Sequence, residues 1–148
     1  ERRDLGMAYI PEDRMGDGIA ALLPITDNII STYYERSDIN GQLFMDQKAI
    51  SEMSDELIDT FAIKAQSNKT NVGSLSGGNV QKVVVAREYN TNPEFMIAEQ
   101  PTHGIDIGSE EFVHQKIISV LYNENKNKIY KQWNIISGKS NRNGKKDG

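Results

Sequence analysis

At 148 residues, the chain is long enough for one domain with its own core, and 37% hydrophobic with 26% charged residues is an ordinary balance for such a domain. No apolar run approaches the ~20 residues of a membrane-spanning helix. No signal-peptide pattern follows the opening Glu1-Arg2-Arg3-Asp4, and zero Cys excludes disulfides and Cys-ligated zinc. The formal net charge of −4 is unevenly spread: residues 1–122 hold 10 Lys and Arg against 19 Asp and Glu, and residues 123–148 hold 7 against 2. An acidic body is the wrong sign for a nucleic-acid surface, so no nucleic-acid partner is expected. The first residue is not Met, so the sequence reads as a piece of a longer chain.

Met7-Ala8-Tyr9-Ile10 reads as a short buried strand stopped by Pro11. Glu12-Asp13-Arg14-Met15-Gly16-Asp17-Gly18 follows as a polar loop. Three acids around one Arg would suit a metal or acid/base site, but the residue types alone favour a solvated turn with a local ion pair. Leu22 to Ile30 reads as a turn into a helix, with Thr26 or Asp27 as N-cap. Residues 35–46 are loop-like around Asn40-Gly41. From Asp46, a plausible cap, to Phe61 the period is helical, with Ile50, Met53, Leu57, Ile58 and Phe61 mostly at steps of three and four. Residues 65–73 read as a polar linker.

Leu75-Ser76-Gly77-Gly78-Asn79-Val80-Gln81-Lys82 comes next, opening a run to Tyr89 that can be helical. Small residues at a helix start leave the first N–H groups bare, and with the positive end of the dipole they make a seat for an anion. An ordinary junction with Ser76 as N-cap is the competing reading. Val83-Val84-Val85 is β-branched and reads as strand in isolation. Asn92-Pro93 breaks the chain, and Glu94 to Ala98 reads as a second short buried strand. Ile107 to Tyr122 reads as a helix capped by Ser109, with Glu110 and Glu111 in its first turn and Phe112, Ile117, Val120 and Leu121 as apolar contacts. His114 on that helix reads as structural and His103 as a solvated loop residue, so no metal site is expected from them.

Three of these stretches carry a family resemblance. Leu75-Ser76-Gly77-Gly78-Asn79-x-Gln81-Lys82 resembles the signature motif of ATP-binding cassette (ABC) ATPases, in the form used by sugar and nucleoside importers. Tyr9-Ile10-Pro11-Glu12-Asp13-Arg14 with Gly16-Asp17-Gly18 resembles the Q-loop region in the second nucleotide-binding half of the tandem importer ATPases. Glu99 to Asp106, following the apolar run, resembles the end of the Walker B strand and the D-loop. The resemblance implies an α/β, P-loop NTPase-like domain fragment, with core strands and helices plus an α-helical signature subdomain. It covers about residues 5–122, so that 1–122 reads as the partial domain and 123–148 as a basic tail whose six Asn and scant apolar periodicity predict disorder. Helix for the Val83 run also follows from the resemblance.

Carried over residue by residue, the resemblance puts Ser76, Gly77 and Gly78 on the γ-phosphate of ATP held by an opposite subunit's P-loop, with Gln81 close behind. Glu12 falls at the Q-loop position, where other cassettes carry Gln. Glu99 falls at the Walker B carboxylate that supports Mg²⁺, and Gln100 at the catalytic Glu. Asp106 matches the D-loop Asp, which communicates between the two nucleotide sites of a dimer. An amide cannot accept the attacking water's proton, so a site relying on Gln100 should be slow. The implied partners are a second nucleotide-binding domain and transmembrane permease subunits. The implied location is the cytoplasmic face of the cell membrane.

No Gly-x-x-x-x-Gly-Lys-[Ser/Thr] occurs in the chain, so the Walker A segment is lacking. Ser137-Gly138-Lys139-Ser140 is half of one, but Trp133 stands where its first Gly would have to be. The resemblance ends at Tyr122, short of the H-loop, and a shifted reading frame would account for that abruptness. The readings to set against an importer ATPase are a non-catalytic regulatory or docking stub and a non-functional truncated product.

Overall fold

The computed structural model describes residues 6–32, 39 and 44–121. Strand β1 (Met7–Ile10) leads through a five-residue wide turn, Arg14–Gly18, to helix α1 (Ile25–Ile30). Helices α2 (Gln47–Thr60) and α3 (Gly77–Asn90), strand β2 (Phe95–Ala98) and helix α4 (Ile107–Leu121) follow. The two strands pair in parallel, Met7 opposite Phe95 and Ile10 opposite Ala98. A parallel pair needs a long crossover, and here α1, α2 and α3 supply it. The expected tail, residues 123–148, and most of the expected 35–46 loop lie outside the described residues.

Helix α3 is the centre of the fold, packing on α1, α2, α4 and β1. Val80, Val83, Val84, Val85 and Ala86 are all buried, as are Ile25 and Ile29 of α1, Leu57 of α2, Ala8 and Ile10 of β1, and Val113 of α4. This explains why three consecutive Val are helical. Their intrinsic penalty is at most ~0.7 kcal/mol each, whereas fully burying a Val side chain is worth ~1.5–3 kcal/mol. Phe61, just past α2, meets Tyr89 of α3 edge-on at 5.2 Å and Phe112 of α4 at 6.5 Å.

Four sequence expectations are corrected. Neither Thr26 nor Asp27 caps α1. The helix starts at Ile25 after Pro24, with no side-chain cap. Its N–H groups at Ile25 and Thr26 are taken by the carbonyls of Thr70 and Asn68, at 3.0 and 3.1 Å. For the same reason residues 65–73 are no mere linker: Val72 is buried, its N–H meets Leu23 O, and Gly73 N–H meets Ala21 O. Ser109 does not cap α4. Asp106 does, with Oδ1 accepting from Ser109 N–H at 2.9 Å and Oδ2 from the Ser109 hydroxyl at 2.7 Å.

Fourth, the strands are buried on one face only. Ala8, Ile10 and Met96 face the core, while Tyr9, Phe95 and Ile97 are exposed, since alternate residues of a strand point to opposite faces. By contrast the Asp46 cap of α2 is as expected, with Oδ1 accepting from Lys48 N–H and Ala49 N–H. Buried Asn28 was not foreseen. It closes the 20–24 turn by accepting from Ala20 N–H and donating to the carbonyls of Ala20 and Pro24.

Candidate functional site

The start of α3 is the site's foundation. Ser76 occupies the N-cap position in extended backbone, yet its hydroxyl caps nothing. Instead the hydroxyl accepts from Asn79 Nδ2 at 2.8 Å. Asn79 is itself held, its Oδ1 accepting from Lys64 N–H at 2.8 Å. The reading of Ser76 as an ordinary side-chain cap is therefore wrong, and the first N–H groups of a 14-residue helix have no side-chain cap. Ser76 is exposed, Gly77 half-buried and Gly78 buried.

Gly78 is bare because α4 comes too close. A Cβ built there would lie 2.9 Å from Asp106 Oδ2, and still closer to the Ser109 hydroxyl. Gln81, one turn further in, is only 2% exposed, and its Nε2 has no hydrogen-bond partner. Being three and four residues beyond Gly78 and Gly77, it leans back over their turn. Lys82 serves structure: it donates to Ala62 O at 3.0 Å and lies 4.7 Å from the Phe112 ring centroid. Burial, then the neighbouring Lys64, lowers its pKa.

Arg14 joins this helix start to the turn after β2. Its Nη1 donates to His103 O at 2.6 Å and its Nη2 to Gly104 O at 3.2 Å. The expected ion pair between Arg14 and its acidic neighbours is not formed. Asp13 instead accepts from Met15 N–H and Gly16 N–H, closing the wide turn. Glu12 lies 3.9 Å from His103 Nδ1. Together with Asp13, Arg14, Met15 and Gly104, these two residues line an open recess of about 410 Å³.

The remaining expected site residues are spread along the same turn. Glu99 extends β2, its N–H donating to Ile10 O at 2.9 Å. Its Oε2 accepts from the Tyr9 hydroxyl at 2.8 Å, and that hydrogen bond is the main reason the Tyr9 phenol pKa is raised. Gln100 takes a left-handed backbone, φ +40°, and its carbonyl accepts from His103 N–H. Asp106 has a lowered pKa, chiefly because the Ser109 hydroxyl and then the Ser109 N–H bond to it.

The structure thus brings Ser76, Gly77, Gly78, Gln81 and Asp106 together. Glu99 and Gln100 make no hydrogen bond or ion pair to the start of α3. His114 is exposed on α4 rather than packed in the core. No group of three or more His, Asp or Glu able to hold a metal occurs among the described residues. Sequence gives no sign of two pairings beside these residues, Arg14 with the carbonyls of His103 and Gly104 and Tyr9 with Glu99. Both partnerships cross some ninety residues of sequence, and no local pattern signals them.

The fold is that of a partial ATP-binding cassette. Among solved structures, the chain is similar to a dimeric ATP-binding cassette in a post-hydrolysis state bound to ADP and Pi. That match has TM-score 0.64 and 19% identity, over 80% of this chain and 48% of the other. A second dimeric structure, of a bacterial ABC transporter cassette, matches with TM-score 0.61 and 20% identity, over 76% and 46%. No family model matches the chain.

Curated proteins give a closer likeness. Nucleoside import ATP-binding protein NupA of Lactococcus lactis subsp. cremoris is 34% identical over 112 residues, which is 76% of this chain and 22% of that protein. Galactose/methyl galactoside import ATP-binding protein MglA of Vibrio cholerae is 36% identical over 115 residues, 78% and 23%. Ribose import ATP-binding protein RbsA of Roseobacter denitrificans is 38% identical over 110 residues, 74% and 21%. The relatives that the chain matches are ATP-binding proteins of nucleoside, galactose and ribose importers. The chain spans 21–23% of the length of these relatives.

Proposed function

We propose that the chain is part of the ATP-binding subunit of an importer for simple sugars or nucleosides, in which the start of α3 seats the γ-phosphate of ATP. The observation that carries this reading is the uncapped helix start at Ser76-Gly77-Gly78, where N–H groups and the positive dipole end favour a phosphate. Ser76 adds a hydroxyl, the two Gly allow close backbone approach, and Gln81 backs them. The nucleotide is presented by the P-loop of a second nucleotide-binding domain, as the resemblance of this motif to the cassette signature implies.

Glu99 suits Mg²⁺, which takes one or two carboxylates together with substrate phosphates. Its carboxylate is exposed, with Tyr9 on one oxygen. Bound Mg²⁺ would neutralise phosphate charge. Gln100, where a base would stand, gives up the ~10²–10⁴-fold that general base catalysis contributes, so hydrolysis is slow. Asp106 links the two nucleotide sites, and Glu12 faces the nucleotide from the Q-loop position. Transmembrane permease subunits, docked at the inner face of the cell membrane, set what is carried. Residues 1–122 form this partial domain, and 123–148 are a tail outside it.

Gln100 also favours a second reading, a docking stub that does not use nucleotide. Hydrogen exchange at the amides of residues 76–79 separates the two. With a P-loop-bearing cassette present, ATP should slow exchange there at concentrations too low to affect the chain alone, which should bind only weakly. Equal exchange with and without ATP, in the presence of that cassette, would leave the docking stub as the surviving reading.

A further inference from the structure

The guanidinium of Arg14 lies against the positive end of α3: a Cβ built on Gly77 would be 3.0 Å from Nη2. A cation at a helix N-terminus is destabilising, because the dipole there is also positive. Arg14 makes no ion pair among the described residues, and its bonds go to the neutral carbonyls of His103 and Gly104. Its Nε is buried without a partner. Of the nearby acids, Asp13 is engaged on the Met15 and Gly16 N–H groups, Asp106 on Ser109, and Glu12 lies 3.9 Å from His103 Nδ1. A second unsatisfied donor, Gln81 Nε2, is buried one turn behind the same two Gly. The uncapped start of α3 and a guanidinium without an ion pair thus meet at Gly77, a second unpaired donor, Gln81 Nε2, lies one turn along the helix, and Arg14 also lines the open recess it shares with Glu12 and Asp13.

We propose that Arg14 is the cation of the phosphate seat, binding the terminal phosphate presented to Gly77 and Gly78. The proposal rests on the reading of α3 as that seat, and adds to it a residue from the opposite end of the crossover. The phosphate supplies the negative charge that Arg14 and the helix end both lack. The two carbonyl bonds hold the guanidinium in position before ligand arrives, which lowers the ordering cost of binding.

The test is a titration of the ¹⁵N-labelled chain with sodium tripolyphosphate, a terminal phosphate that needs no P-loop. In the wild type, the amides of Gly77, Gly78 and Asn79 and the Arg14 Nε–H should move with one midpoint. Arg14→Gln should weaken binding by about tenfold or more, the scale of one charge-assisted hydrogen bond. Arg14→Lys keeps a point charge that binds phosphate and should retain most of the affinity.

If Arg14→Gln binds as the wild type does, Arg14 is no part of the seat, though the seat itself stands. If Arg14→Lys is as weak as Arg14→Gln, the residue only clamps the 100–104 turn and the proposal is overturned. Should Arg14→Gln fail to fold, the wild-type Arg14 Nε–H still decides, because a resonance that stays put while the three amides move excludes contact. If no wild-type amide at residues 77–79 moves, the phosphate-seat reading falls together with the proposal.

Discussion

Gly77 and Gly78 are adjacent in one motif and differ sharply in their tolerance of a side chain. At Gly78 a new Cβ meets Asp106 Oδ2 at 2.9 Å and Ser109 Cβ at 2.9 Å, in the capped start of α4. At Gly77 it meets the end of one long side chain, Arg14. Overpacking costs ~1–3 kcal/mol, and Gly to Ala in a helix returns ~1 kcal/mol at most. Gly78→Ala should therefore lower stability by about 1–2 kcal/mol, whereas Gly77→Ala should change it by less than ~1 kcal/mol. Urea unfolding of both variants checks this, and equal effects would mean that α4 does not press on Gly78. The motif itself was legible in the sequence. Which Gly is structurally required was not, because the constraint comes from Asp106 and Ser109, about thirty residues on.

Helix starts show what sequence can and cannot reveal at the scale of an element. The cap of α2 is local: Asp46 bonds to N–H groups two and three residues ahead, so a Ser, Thr, Asp or Asn before a periodic run identifies it. The start of α1 is not local, since Asn68 and Thr70 take its N–H groups some forty residues later. Asp46→Ala should cost about 1 kcal/mol. Asp27→Ala, at one of the two positions the sequence offered, should stay within ~0.5 kcal/mol. Thermal or chemical melts of the two variants compare them directly, and a larger loss at Asp27 would restore it as the cap. Helix α3 marks the other limit. Its Val run argues for strand by propensity, and burial on several sides overrides that preference.

Across the whole molecule, α3 is tied to both the sheet and the Arg14 turn through one buried pair. Glu88 is fully buried and its Oε2 accepts from Tyr9 N–H at 3.2 Å, across the outer edge of β1. Its Oε1 accepts from Arg87 Nε at 2.9 Å, and Arg87 Nη1 donates to Gly18 O at 2.8 Å. The sequence offers no local signal of this, because Tyr9 and Gly18, the partners of Glu88 and Arg87, lie 79 and 69 residues away. Nor does it reveal that Tyr9, Phe95 and Ile97 form an exposed face among the described residues, although parallel sheets are ordinarily covered on both sides. With so small a sheet, its attachment to α3 falls heavily on Glu88. Glu88→Ala leaves the Arg87 charge buried without its partner and strips the acceptor from Tyr9 N–H. Breaking a buried pair in this way costs ~3–5 kcal/mol, a large share of the ~5–15 kcal/mol of a typical domain. Glu88→Gln keeps the shape and an acceptor while losing the charge, and should fall between Ala and wild type. Urea midpoints order the three proteins. A loss below ~1 kcal/mol for Glu88→Ala, the scale of an exposed ion pair, would mean that the apolar core alone holds β1 on α3.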